Sequence, residues 1–208
     1  MPPLLGSIRN VFWRLSMLGL ARGPHITRYS MYRTLAGVPL PARRGSVLSI
    51  SGSDRLCEVM GIEPTAITKA DYPEHNMLDL QFADESFDFV LSDQVLEHVA
   101  GDPQRAIDEC HRVLKPGGIA IHTTCFINPV HGAPSDYWRF TPAALELLAS
   151  KHRRILSVGG WGNFEAWLHM RDGLRWIGIP HATWHPLHRA ATRNDPEWPI
   201  VTWVVAEK

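Results

Sequence analysis

An excess of charge of either sign is the first thing missing. In 208 residues, 21 Lys and Arg stand against 21 Asp and Glu, so the net charge is zero with His neutral. A chain without a net field does not draw nucleic acid or an anionic membrane by long-range attraction, so a charged partner has to be met by local contacts. Cysteine is scarce as well. Cys57, Cys110 and Cys125 are odd in number, far apart and without metal-type pairing, which argues against a disulfide framework and for an intracellular, cytoplasmic setting. No apolar run reaches the ~20 residues that a membrane span needs. The apolar N-terminal stretch is interrupted by Arg9, Arg14 and Arg22, and it lacks the continuous apolar core and small-residue cleavage site of a signal peptide. Internal repeats and low-complexity tracts are also missing. What is there is ordinary globular composition, 45% hydrophobic and 20% charged, in a length that suits one domain with decorations.

The spacing of Ile8, Val11, Phe12, Leu15 and Leu18 follows i, i+3, i+4. It predicts an amphipathic helix packed over the domain, with contact to a lipid interface as the alternative. Glycines and prolines in residues 37–45 then break the chain, so residues 1–45 read as an N-terminal helical cap and linker and residues 46–208 as the main domain. Within that domain, residues 47–50, 66–70, 87–92 and 119–124 read as strands, and residues 54–60 and 103–114 as helices. Thr141 and Pro142 open a further helix to residue 148, and residues 200–205 make a late strand. The stretch between those two, rich in Trp, His, Gly and Pro, has no clear period. Strand, helix, strand, strand, helix, strand in that order implies parallel crossovers, hence an α/β sheet with helices on both faces. Such sheets hold ligands beyond the carboxyl ends of their strands, where the strand order reverses.

The run Phe87-Asp88-Phe89-Val90-Leu91-Ser92-Asp93-Gln94-Val95-Leu96-Glu97-His98-Val99, followed by Arg112-Val113-Leu114-Lys115-Pro116-Gly117-Gly118, resembles class I S-adenosylmethionine-dependent methyltransferases of the type 11 group over about residues 46 to 148. The block from His131 to Thr141 is similar to one found in bacterial members associated with surface-glycan or secondary-metabolite genes. The resemblance implies a Rossmann-like methyltransferase sheet, S-adenosylmethionine as cofactor, and a small-molecule or glycan acceptor, with O-methylation as the reaction. It also implies that Ser92, Asp93, Gln94 and His98 lie near the methionine half of the cofactor. The family places an acidic residue near the adenine amine. By spacing the corresponding residue is Asn76, beside Met77 and Leu78, with Asp79 as the neighbouring register.

Chemistry supports several of these positions independently. Ribose hydroxyls need an acceptor at a strand end, and Asp71, next to Tyr72, follows the second predicted strand. The nucleotide loop is the departure. Where the family has an acid and then alternating glycines, this chain has Ser49 followed by Ser51-Gly52-Ser53-Asp54-Arg55. Each lost glycine risks overlap with the cofactor or strain at positive φ, so a non-catalytic, ligand- or partner-binding module with a degenerate loop is the competing function. Methyl transfer is an in-line displacement that needs alignment, and a base only when the acceptor is a hydroxyl. His131, in the loop after the fourth strand, is the candidate base, with Asp136, Tyr137 and Arg139 alongside. Asp136 and Arg139 also read as a structural ion pair. His181, His185 and His188 have helical spacing, but Pro180 and Pro186 disturb the helix and no acidic ligands accompany them, so no metal site is expected. A nucleic-acid methyltransferase is disfavoured by the zero net charge and by the lack of an Asn/Asp-Pro-Pro-aromatic tetrad. Oligomeric state is left open.

Overall fold

The computed structural model describes residues 11–132 and 134–208. In chain order the elements are β1 (Arg22–His25), α1 (Ile26–Ala36), β2 (Arg44–Ile50), α2 (Arg55–Met60), β3 (Glu63–Ala70), β4 (Phe87–Asp93), α3 (Pro103–Val113) and β5 (Leu114–Cys125). They continue with α4 (Pro142–Leu148), β6 (Arg154–Trp161), α5 (Phe164–His169), β7 (Gly178–Pro180), α6 (Pro186–Thr192) and β8 (Val201–Glu207). Two compact units emerge: Thr34–Gly160 with Val201–Lys208, and the described residues up to Arg33 with Trp161–Ile200. The division therefore falls at Arg33 rather than residue 45, and residues 161–200 group with the N-terminal segment rather than with the sheet.

The larger unit carries a six-stranded sheet in the order β3-β2-β4-β5-β8-β6. β2 pairs in parallel with both β3 and β4, β4 pairs in parallel with β5, and β8 runs antiparallel to β5. The strand order reverses beside β2, as expected for crossovers in an open α/β sheet. Val47, Leu48, Val90 and Leu91 are fully buried in the central strands, matching the continuous apolar runs of strands covered on both faces. The inner face of α3 presents Ala106, Ile107, Cys110 and Val113. These pack with Leu48, Ile50, Val90 and Leu96 into one core cluster, each large aliphatic contributing about 1.5–3 kcal/mol of transfer free energy. Asp102 caps α3 by accepting the Gln104 amide, Pro103 occupies its first turn, and Thr141 caps α4 in the same way through the Ala144 amide. Both proline-led starts follow the N-cap rule.

β5 begins at Leu114, five residues before the expected start. Pairing steps from Phe87 opposite Leu114 to Phe89 opposite Ile119, so residues 115–118 form an irregularity inside the strand rather than a break before it. Gly117 sits at φ +76°, and a Cβ on Gly118 would lie 2.9 Å from the Lys115 carbonyl oxygen and 3.1 Å from that of Asp88.

The smaller unit pairs β1 with β7 antiparallel. Its histidines are engaged individually. Tyr29 Oη lies 3.1 Å from His181 Nδ1 and 3.3 Å from His188 Nδ1, and His185 Nδ1 accepts the Leu187 amide. The N-terminal helix differs from expectation. Val11, Phe12, Leu15 and Leu18 are 53–73% exposed, while Met17 is the buried residue, so the apolar stripe is not the packed face. Ile8 lies outside the described residues. The tryptophans of the aperiodic stretch between α4 and β8 divide likewise, with Trp161 buried and Trp176 and Trp184 exposed.

Candidate functional site

The site forms where β2, β3 and β4 end. Ser51 continues the β2–β3 ladder by donating its amide to the Ala70 carbonyl at 3.1 Å. The chain then turns through two left-handed residues, Ser51 at φ +50° and Gly52 at φ +73°. A Cβ on Gly52 would meet nothing within 4 Å, so this backbone is open to close approach by a ligand. The Gly52 amide donates to Asp71 Oδ1 at 3.1 Å, tying the loop to the residue after β3. Ser53 turns inward. Its hydroxyl donates to the Ile50 carbonyl at 2.5 Å and accepts the Asp93 amide at 2.7 Å, bridging the ends of β2 and β4.

Two segments complete the rim. After β4, Gln94 takes φ +61° and leads into a short 3₁₀ turn, Leu96–His98. Its backbone amide donates to the Thr123 carbonyl at 2.9 Å, and Asp93 Oδ1 accepts the Thr123 hydroxyl at 2.5 Å. After β3, the Asn76 carboxamide oxygen accepts the Leu78 amide at 2.9 Å, an Asx turn that uses the acceptor and leaves the NH₂ available.

Between these segments lies a cavity of about 290 Å³, near the lower end of the roughly 300–1,000 Å³ typical of small-molecule sites. From the predicted set, Ser51, Tyr72, Asn76 and Met77 line it together with Gln94 and His98, and Tyr137 joins them. His75, Val95 and Val99 also line it and were missed. His75 lies one residue from Asn76, so its place in the same loop was the available signal. Other predicted residues do not line the cavity. Ser49 is fully buried with an unpartnered hydroxyl, Ser92 faces His122 Nδ1 at 2.7 Å inside the sheet, and Leu78 packs on the core. Gly52, Ser53, Asp71 and Asp93 hold the loop rather than the cavity wall.

The predicted catalytic loop is built around Asp136, whose side chain is 1% exposed. Arg139 pairs with it through both terminal nitrogens, and the His131 amide donates to its Oδ2 at 2.9 Å. The Arg139 guanidinium holds the Asp136 carboxyl far below the usual carboxylate range, outweighing burial. His131 Nδ1 lies 3.1 Å from Asp136 Oδ2, and the His131 ring meets His98 edge to face with centroids 4.9 Å apart. His131, Asp136 and Arg139 thus stand behind His98 and Tyr137, which reach the cavity. Glu97 fastens the loop from below. Its carbonyl accepts the Tyr137 and Trp138 amides, and its Oε2 accepts the Thr124 hydroxyl at 2.8 Å. Burial pushes the Glu97 carboxyl above its ordinary range and the neighbouring Cys125 thiol up to about 12.

A parallel sheet reversing at β2, a tight turn after its first central strand, an acid after the next strand and a cavity across their carboxyl ends define a class I methyltransferase fold. Residues 39–122 match a methyltransferase domain family. The chain is 37% identical over 122 residues to an uncharacterized methyltransferase of Mycolicibacterium vanbaalenii, covering 57% of this chain and 46% of that protein. A ubiquinone biosynthesis O-methyltransferase of Cereibacter sphaeroides is 44% identical over 59 residues, covering 28% of this chain and 24% of its own length. The chain thus spans less than half the length of these two curated relatives. Among solved structures, an S-adenosylmethionine-dependent methyltransferase from Mesorhizobium loti superposes with a TM-score of 0.52 at 14% identity, covering 88% of this chain and 98% of that one, a likeness of fold. No helix among the described residues is long and apolar enough to cross a membrane.

Proposed function

We propose that this protein transfers a methyl group from S-adenosylmethionine to a hydroxyl of a small molecule or glycan. The observation that carries the reading is the cavity at the carboxyl ends of β2 and β4, bordered by the left-handed Ser51 and Gln94 and by the segment after Asp71. That is where an open α/β sheet of this order holds a nucleotide. The residues fit the group. Gly52 leaves open space at the turn, Asp71 keeps Oδ2 for ribose hydroxyls, Asn76 on the cavity lining has its NH₂ left to donate to a purine ring nitrogen, and Met77 gives an apolar wall.

The bound cofactor supplies an electrophilic methyl on a sulfonium. The chain's own contribution is alignment and handling of the acceptor proton. Asp136, kept ionised by Arg139, orients the His131 ring through Nδ1, leaving Nε2 as the basic nitrogen, the arrangement a general base needs. His98 and Tyr137 carry this region to the cavity wall. The name of the Cereibacter relative supports a hydroxyl acceptor. The three buried free cysteines support a reducing, cytoplasmic setting. The exposed Phe12, Leu15 and Leu18 beside Arg14 support a peripheral lipid contact, which absence of co-sedimentation with anionic vesicles would remove.

Calorimetric titration with S-adenosylmethionine and S-adenosylhomocysteine tests the reading. Micromolar binding that weakens about tenfold or more in Asp71→Ala is expected. Absence of binding at about 1 mM cofactor would leave the non-catalytic module. With a turned-over acceptor in hand, His131→Ala should lower kcat by roughly 10²–10⁴, and unchanged turnover would remove His131 as the base.

A further inference from the structure

Beneath the cavity wall, Glu97, His98 and His131 each bring one ligand-capable atom to within 4.8 Å of the others, a two-imidazole, one-carboxylate set drawn from the 3₁₀ turn and the loop after β5. Three independent features prepare it for a ligand. Glu97 is fully buried, and while its Oε2 accepts the Thr124 hydroxyl, its Oε1 takes no hydrogen bond. The Cys125 thiol near this carboxyl is a weak donor. A buried, half-satisfied carboxylate is costly unless a positive partner or donor meets it. Next, His98 Nδ1 lies 2.6 Å from the Ser135 carbonyl oxygen, so that nitrogen carries the hydrogen and Nε2 keeps its lone pair. Finally, His131 Nδ1 faces two acceptors, Asp136 Oδ2 at 3.1 Å and the Pro129 carbonyl at 3.2 Å, against one donor, the Asn128 carboxamide nitrogen at 3.1 Å; with Nδ1–H given to the acceptors, Nε2 keeps its lone pair. Nδ1–H held by a carbonyl on one ring and a carboxylate on the other is the outer-shell arrangement that orients metal-binding histidines.

We propose that Glu97, His98 and His131 form a binding site for a divalent first-row transition metal ion. A set of two His and one carboxylate suits Zn²⁺ or Fe²⁺ rather than Mg²⁺, which prefers an all-oxygen shell. Tetrahedral bonds of about 2.1 Å put ligand atoms roughly 3.4 Å apart, so the ligand-capable atoms, all within 4.8 Å of one another, have at most about 1.4 Å to close. Three protein ligands leave one position for water or an oxygen ligand. The site revises the expectation that the chain holds no metal, and it lies away from the His181, His185 and His188 run that first drew attention. It rests on donor geometry and not on the methyl-transfer reading. Occupancy would change His131 from a proton acceptor to a ligand.

The test titrates the metal-free full chain with Zn²⁺ in a calorimeter, and with Co²⁺ by visible absorption, with no cofactor present. That condition separates failure here from failure of methyl transfer. One equivalent should bind at micromolar or lower Kd, raise Tm, and weaken by about tenfold or more in His131→Ala and in Glu97→Gln, with His185→Ala unchanged. Circular dichroism on His131→Ala, which alters a partly exposed side chain, keeps a folding failure of the buried Glu97→Gln from deciding the matter. No saturable binding would overturn the site, as would binding that survives in folded His131→Ala or is lost in His185→Ala.

Discussion

At the scale of the residue, Ser53 explains how the turn after β2 is held with one glycine. The turn needs left-handed backbone at two positions, and Ser51 and Gly52 occupy them. Serine tolerates that region at a cost of about 1 kcal/mol, and the Gly52 amide bond to Asp71 holds it. Position 53, which the family pattern assigns to glycine, is buried and turned into the sheet, so its side chain meets strand ends instead of a ligand. Ser53→Ala removes the acceptor of the Asp93 amide and leaves a buried N–H unsatisfied. A loss of about 1–3 kcal/mol in chemical denaturation is expected, together with weaker cofactor binding, because the β2 and β4 ends are no longer joined. Asp136 makes a parallel case. Its nearly inaccessible carboxylate is held by Arg139, so Arg139→Ala strands a charge and should cost about 3–5 kcal/mol, read as a lowered urea midpoint. A change under 1 kcal/mol would mean the pair is solvated in solution.

At the scale of the element, the central strands were legible because burial on both faces writes them as continuous apolar runs, as in Phe87–Asp93. The helix α3 was legible from its caps and one-sided spacing. β6 was not, because Gly159 and Gly160 interrupt its alternation and its burial is only intermediate. α5 and α6 were obscured by His, Trp and Pro, whose spacing gives no apolar period. Half of the site was readable for a related reason. The residues on the cavity wall follow strand ends that sequence locates, whereas inward or outward orientation in a loop depends on hydrogen bonds such as those of Ser53, which no periodicity encodes. The extended start of β5 makes its own prediction. A methyl group at Gly118 would press on carbonyl oxygens of both Lys115 and Asp88, and backbone does not yield as a side chain tip does. Gly118→Ala should therefore cost about 1–3 kcal/mol, a Tm fall of roughly 3–10 °C, and leave cofactor affinity unchanged if the irregularity is purely structural.

At the scale of the whole molecule, acid stability is governed by imidazoles buried in the larger unit. His152, after α4, is held down to about 4 by burial and by the nearby His111, whose ring meets it edge to face at 4.9 Å. His122, on β5, is fully buried and pushed down to about 3, mainly by burial. Neither Nε2 has a partner, so neither ring is prepared to carry a second proton. Both folded-state values lie below the ordinary 6.5, so the unfolded chain takes up protons first as the solution is acidified. Stability is then fully present above pH 6.5 and falls as pH drops toward 4, where the His152 contribution levels off while that of His122 continues to about 3. The 2.5-unit difference at His152 corresponds to about 3 kcal/mol. Paired carboxylates add their own loss at lower pH, because Asp88 and Asp136 keep their charge below the usual carboxylate range through Lys115 and Arg139 despite burial. Urea midpoints measured from pH 7 to 4 should decline continuously in the wild type. His152→Gln replaces the titrating ring with a neutral amide, so whatever its stability at pH 7, its decline between pH 6.5 and 4 should be shallower by about 3 kcal/mol. A profile with the same slope in both proteins would show that water reaches His152 in the folded state and lets it ionise in place.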